Sequence, residues 1–140
     1  MIGWFFLGLL MHNAAVLLLI AAFVGLAPAR SAEVSGRLGY LSEWQVTATV
    51  TENVSAGKKE FSGPLIVKHI GVCAPGRPVE MSGEIRYRTT GSMVPRIQGT
   101  LVIDGTECAF EAKLSEAYDG AMSCEQWRGV PLSLSAKTAD

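Results

Sequence analysis

The stretch Ile97–Leu114, IQGTLVIDGTECAFEAKL, is the clearest indication of the fold. Apolar and polar side chains alternate on both sides of Asp104-Gly105, as they do in a pair of half-buried strands. An Asp-Gly pair between two such runs favours a two-residue type I′ turn, because both central residues need a positive φ. The predicted register across this hairpin pairs Ile103 with Thr106, Leu101 with Cys108, and Gly99 with Phe110.

The same hairpin predicts which side chains face the protein interior. On its second strand the inner face carries Cys108, Phe110, Ala112 and Leu114. The outer face carries Glu107, Glu111 and Lys113. An aromatic side chain across from a strand glycine covers the space that the missing side chain leaves, so we expect Phe110 to lie over Gly99.

Short strands are predicted through most of the remaining chain, because the apolar period after Trp44 is two. The runs cover residues 44–51, 65–72, 83–88, 97–103, 106–114, 122–124 and 130–136. Turn residues separate them at 54–59, 74–78, 90–92 and Tyr118-Asp119-Gly120. No amphipathic helix is predicted after Ala29. About seven short strands with this spacing predict an all-β domain, either a small antiparallel barrel or a two-sheet sandwich.

The N-terminal segment predicts export. Residues 2–29 contain no Lys, Arg, Asp or Glu, and Ala27-Pro28-Ala29 fits a small-x-small cleavage site after an apolar helix. The segment is also long enough to be an uncleaved membrane anchor, with the domain outside the cytosol. Arg30 and Arg37 follow the apolar run and none precedes it, which by the positive-inside rule favours a cytosolic domain. We expect export, to the periplasm or the medium, with an anchored domain as the alternative.

Four regions follow from these patterns. Residues 1–29 are a signal peptide or membrane anchor, 30–43 a linker into the domain, 44–136 the antiparallel β-domain, and 137–140 a tail. All 12 basic and 13 acidic side chains lie after residue 29, so the net charge of the domain is −1. A near-neutral domain does not attract nucleic acid. Contact with a membrane is expected only through residues 1–29, if they are not cleaved.

The three cysteines predict one disulfide and one thiol in an oxidising compartment. Cys108 and Cys124 fall on the inner face of neighbouring strands, so we expect them to pair, which leaves Cys73 as the free thiol. Pairing through Cys73 is the alternative.

No catalytic residues, metal ligands or cofactor are predicted. His69 and Cys73 would lie about 13 Å apart along one strand, too far for a shared zinc ion. No serine stands in a nucleophile-elbow pattern. The best surface feature is Arg86, Arg88 and Arg96, a candidate site for an anion or a protein partner, although the nearby Glu84 favours ordinary solvated side chains.

The function expected from these observations is an exported, non-enzymatic binding or interaction module. A small barrel usually fills its interior with side chains, which favours a protein partner over a small ligand. One alternative is an accessory subunit of a membrane complex, held by an uncleaved N-terminal helix. The other is a small-ligand carrier barrel.

Overall fold

The computed structural model describes residues 29–71 and 79–138, which form a closed barrel of eight antiparallel strands. The strands are β1 Ser31–Leu38, β2 Trp44–Ser55, β3 Lys58–His69, β4 Glu80–Thr90, β5 Arg96–Ile103, β6 Thr106–Leu114, β7 Tyr118–Cys124 and β8 Val130–Thr138. Each strand pairs with the next one in the chain, and β8 pairs with β1 to close the barrel. The structure therefore confirms the predicted barrel, and the two-sheet sandwich is wrong.

The predicted count of about seven strands is also wrong, because β1 lies within the segment 30–43 that was expected to be a linker. The inner face of β1 carries small residues between larger ones, in the order Ala32, Val34, Gly36 and Leu38. Small residues weaken the apolar alternation in the sequence. They suit the barrel nonetheless, since Gly36 lets β8 approach so closely that a Cβ there would collide with the carbonyl oxygen of Ser133.

Two predicted connections are strands instead. Residues 54–59 continue β2 and β3, and only Ala56-Gly57 forms the turn, with φ of 50° and 75°. Tyr118-Asp119-Gly120 begins β7 rather than forming a turn, and the bend lies at 115–117. Gly120 occupies an inner position across from Ala112, where a Cβ would collide with the carbonyl oxygen of Glu111. Close approach of two strands explains this glycine, whereas a turn does not.

The β5–β6 hairpin has the predicted register. Asp104 and Gly105 have φ of 49° and 80°, as a type I′ turn requires. Ile103 pairs with Thr106, Leu101 with Cys108, and Gly99 with Phe110. Cys108, Phe110 and Ala112 are buried, but Leu114, at the end of the strand, is 36% exposed. At its C-terminal end, β8 includes Lys137 and Thr138, which were predicted to belong to a tail at residues 137–140.

The middle of the barrel is filled by aliphatic side chains. Leu65, Ile85, Leu101 and Leu134 come from four different strands and are almost completely buried. Burial of one such side chain contributes roughly 1.5–3 kcal/mol to the free energy of folding. Among residues 29–71 and 79–138, no buried side chain is polar or charged. The barrel is therefore held together by a continuous apolar core.

Three predictions concern residues outside those that the structure describes. They are the apolar helix within residues 1–29, the turn at 74–78 and the free thiol of Cys73. Within the described ranges, no helix is long and apolar enough to cross a membrane.

Candidate binding site

The two ends of the barrel carry different connections. One end, here called the open end, has the loops 39–43, 104–105 and 125–129, together with residues 70–71 and 79. The other, here called the terminal end, has the turns 56–57, 91–95 and 115–117 and both ends of the described chain. This arrangement follows from eight strands that alternate in direction, since an even number returns the chain to the end at which it began.

A cavity of about 720 Å³, here called the cup, lies at the open end between the loops. Its floor is apolar and includes the buried side chains of Leu38, Val67, Cys108 and Met122, which also form the upper layer of the core. Three aromatic side chains surround this floor, namely Tyr40, Trp44 and Trp127, here called the aromatic rim. Tyr40 is 73% exposed and Trp127 is 64% exposed, so most of their apolar surface is available to a partner.

Hydrogen bonds hold the two loops of the aromatic rim against each other and against the barrel. The Tyr40 hydroxyl donates to the Gly129 carbonyl at 3.4 Å, and the Gly39 amide donates to the Pro131 carbonyl at 3.0 Å. Within the second loop, the Cys124 amide donates to the Trp127 carbonyl at 2.7 Å. A site that is already ordered loses less conformational entropy on binding.

Glu43 organises the first of these loops. Its carboxylate accepts the Leu41 amide hydrogen at 2.9 Å, and its backbone carbonyl accepts the Ile70 amide hydrogen at 2.8 Å. The carboxylate lies so close to Gly39 that a Cβ on that residue would stand 2.6 Å from its oxygens. Gly39 also has φ of 104°, which only glycine adopts without strain. The conformation of the loop is therefore determined by two residues, Gly39 and Glu43.

The predicted disulfide forms part of the cup. Cys108 and Cys124 are paired directly across β6 and β7, with their Cα atoms 4.2 Å apart, and their sulfur atoms are bonded. Both cysteines line the cavity. Since the loop that carries Trp127 begins immediately after Cys124, the disulfide fixes the base of that loop.

Charged groups around the cup are mostly acidic. Glu43, Asp104 and Glu125 line it, and Arg128 is the one basic side chain among the described residues that does so. The three carboxylates belong to three different loops, so they surround the cup instead of clustering on one side.

The arginines predicted as an anion or partner site lie elsewhere, on the outer face of β4 and β5. Arg86 is 3.5 Å from Glu60 and 3.5 Å from Glu84, and Arg96 is 3.3 Å from Glu111. Arg88 is diagonal to Arg96 across the β4–β5 pair and makes no ion pair with a described residue. All these pairs are solvent-exposed, where an ion pair contributes less than about 1 kcal/mol. Arg86 and Arg88 line one surface cavity of about 560 Å³ on this face, and Arg96 is not among its lining residues.

His69 packs behind the cup and does not line it. Its ring meets Trp44 edge-on, with centroids 4.7 Å apart, and its Nδ1 atom is buried without a hydrogen-bond partner in the described structure. In residues 29–71 and 79–138, no group of three or more potential metal ligands is found. The ring of His69 therefore packs against Trp44, one of the three aromatic side chains of the rim.

Reasoning from sequence alone did not identify Tyr40 or Trp127 as site residues. Tyr40 lies in the segment expected to be a linker, and Trp127 lies in a polar connection between two short strands. One feature of the sequence could have identified them. Each is a large aromatic residue in a polar loop, which is unusual because aromatic side chains are normally buried.

No protein-family profile, curated protein sequence or solved structure matches this chain.

Proposed function

We propose that this chain is an exported, non-enzymatic binding module that holds an exposed segment of a partner protein in the cup. The observation that supports this proposal most is the exposure of Tyr40 and Trp127 at the edge of an apolar cavity. Tyrosine and tryptophan are enriched among the residues that contribute most to protein–protein affinity. The hydrogen bonds between their loops favour a rigid site of this kind.

A protein partner fits better than a small ligand, because the exposed apolar surface extends beyond the cup. Leu41 is 86% exposed, and Ile70 and Val79 are exposed at the same end. A small molecule inside the cup would leave these side chains in water, whereas a protein surface would cover them. Below the cup the barrel is filled by Leu65 and Leu101, so it contains no deep ligand chamber there.

A small-ligand carrier is the second candidate, and the size of the cup favours it. Ligand pockets typically enclose about 300–1,000 Å³ with mostly apolar walls and a few polar groups. The cup, at about 720 Å³, lies in that range. The two candidates differ in footprint, since a small ligand would contact the floor but would not contact Leu41.

One feature of the described structure supports export. A disulfide between Cys108 and Cys124 is consistent with an oxidising compartment. The apolar N-terminal segment joins β1 at the terminal end, opposite the cup. An accessory subunit of a membrane complex would retain this segment as an anchor. The cup would then face away from the point of attachment, so it would remain accessible to a partner.

Site-specific photo-crosslinking in the native host tests the proposal. We would place a photoreactive residue at Leu41, and a matched one at Gln98 on the outer face of β5 as the control. We expect a discrete crosslinked protein from position 41 that is absent from position 98, and its yield should fall strongly in a Trp127→Ala background. Identical products from both positions would contradict the proposal. Absence of any protein adduct at position 41 would favour the ligand carrier.

A further inference from the structure

Carboxylates outnumber basic side chains around the cup, where Arg128 is the one basic side chain among the described residues. Elsewhere on the described barrel, Glu52, Glu60, Glu84 and Glu111 each lie within 3.5 Å of a lysine or arginine, whereas five other carboxylates make no ion pair, namely Glu33, Glu80, Glu107, Glu116 and Asp119. Glu43, Asp104 and Glu125 make no ion pair within the described part of the chain. Arg128, although it also lines the cup, makes none either. Three carboxylates and one guanidinium therefore give the cup an excess of negative charge among the described residues.

The aromatic rim adds a second preference for positive charge. The faces of tryptophan and tyrosine rings carry negative electrostatic potential and attract ammonium and guanidinium groups. Trp127 and Tyr40 are on hydrogen-bonded loops, and each loop also carries one of the carboxylates, Glu125 and Glu43 respectively. Each of these two loops therefore contributes both an aromatic side chain and a carboxylate to the lining of the cup.

The apolar floor of the cup favours a ligand that carries an apolar group in addition to the cation. Leu38, Val67 and Met122 offer no hydrogen-bonding side chain, so a hydrated ion alone would lose its water there without compensation. A lysine or arginine next to an aliphatic or aromatic residue satisfies both regions, since the apolar residue covers the floor while the cation remains at the edge.

On this basis we infer that the cup recognises a cationic amphipathic segment, in which a lysine or arginine adjoins a large apolar side chain. This inference rests on the proposed function, because it names the chemistry of the partner held by the same cup. Complementary charge at the edge of a binding site accelerates association and excludes partners of like charge. Acidic segments should therefore be rejected even when their apolar residues are the same.

Three capped hexapeptides test this directly, with the sequences Gly-Phe-Lys-Leu-Lys-Gly, Gly-Phe-Gln-Leu-Gln-Gly and Gly-Phe-Glu-Leu-Glu-Gly. Binding to the purified protein, in the form that the host produces, is followed by NMR through the indole N–H signals of Trp44 and Trp127. At low salt we expect the basic peptide to bind about five- to tenfold more tightly than the neutral one, and the acidic peptide to bind weakest. The difference should shrink at high salt, because exposed charges are screened.

A charge-only variant isolates the carboxylates. Glu43→Gln, Asp104→Asn and Glu125→Gln together remove three negative charges. They leave an acceptor for the Leu41 amide and a residue that tolerates positive φ in the turn. We expect the basic and neutral peptides to bind this variant equally. The matched control is Glu60→Gln, Glu84→Gln and Glu111→Gln on the outer face, which changes the net charge equally and should preserve the preference.

The outcomes separate the inference from the proposed function. Equal binding of basic and neutral peptides to the wild-type protein would overturn the inference while leaving apolar binding in the cup intact. A preference that survives in the cup variant but disappears in the outer-face control would overturn it as well. If none of the peptides perturbs the two indole signals even at millimolar concentration, the cup does not hold apolar segments and the proposed function fails.

Discussion

The two ends of the barrel are built from the same eight strands but use their aromatic side chains differently. At the terminal end Phe61 stacks on Tyr87, with ring centroids 5.2 Å apart, and a small cavity of about 140 Å³ lies beside Tyr118. At the open end Tyr40 and Trp127 stand mostly in solvent around a cup of about 720 Å³. The aromatic side chains of the terminal end therefore pack against each other, whereas those of the open end keep apolar surface available for binding.

Connection length does not explain this difference. The terminal-end loop 91–95 is as long as the open-end loops 39–43 and 125–129. Its exposed Met93 and Val94 are not among the residues that line the cup. The open-end loops are distinguished by an aromatic residue, by hydrogen bonds to one another, and by the cup that they enclose. Changes in the middle, at the terminal end and at the open end should therefore have separable effects on stability and on binding.

The largest loss of stability should come from the middle of the barrel. Phe110 is 3% exposed and packs between Gly99 and Met122 on the neighbouring strands. Phe110→Ala should lower the free energy of unfolding by about 3–5 kcal/mol, since it removes an aromatic side chain and leaves a cavity. Its exposed neighbour is the control, and Glu111→Ala should cost less than about 0.5 kcal/mol. Urea denaturation measures both, and equal losses would mean that the inner and outer faces of β6 are reversed.

Loss of the disulfide should have the next largest effect. The bond closes a loop with a sequence separation of 16, which corresponds to about 3 kcal/mol in the loop-entropy description. Wild-type protein should therefore unfold at lower urea concentration when a reductant is present. The double variant Cys108→Ala, Cys124→Ala should be destabilised and should not respond to the reductant. A wild-type curve that is unchanged by reduction would contradict this prediction.

Alkaline pH should weaken the terminal end through Tyr87. Burial and, to a smaller extent, the adjacent Tyr118 together raise the pKa of the Tyr87 hydroxyl to about 12. Tyrosine in an unfolded chain ionises near pH 10. Above about pH 10 the unfolded state therefore loses a proton that the folded state retains, so stability falls until about pH 12 and is unaffected below this window. The loss should approach roughly 2 kcal/mol.

The variant Tyr87→Phe keeps the stacked ring but cannot ionise. Urea denaturation between about pH 8 and pH 12 should show a smaller loss of stability in this variant than in the wild-type protein. An identical pH dependence of both proteins would show that Tyr87 does not ionise on unfolding in this range.

The smallest effect on stability should come from the exposed aromatic rim. Trp127→Ala should change the free energy of unfolding by less than about 0.5 kcal/mol, because the side chain is 64% exposed. The same variant should weaken binding of a partner or of the basic peptide by at least about tenfold. Calorimetric titration alongside urea denaturation separates the two effects. A large loss of stability would show that Trp127 belongs to the core and not to a binding site.

Local rules were enough to predict seven of the eight strands and one register. Alternation with a period of two identified the middle strands, and Asp104-Gly105 determined the β5–β6 pairing, because a type I′ turn fixes which residues face each other. The Cys108–Cys124 disulfide was predicted from the same alternation, since both cysteines fall on the inner face of neighbouring strands. These features depend on residues close together in the chain, and a single sequence is sufficient for them.

Closure of the barrel and the cup depended on the tertiary structure. β1 pairs with β8 across the whole length of the domain, and the small inner residues that permit their close approach conceal β1 in the sequence. Tyr40 and Gly129, joined by a hydrogen bond at the cup, are 89 residues apart. No local pattern links residues so distant, because their proximity results from the alternating direction of eight strands and from the closure of the sheet. The sequence therefore determined most strands of this protein, whereas only the tertiary structure decided that β1 closes the barrel and which loops meet around the cup.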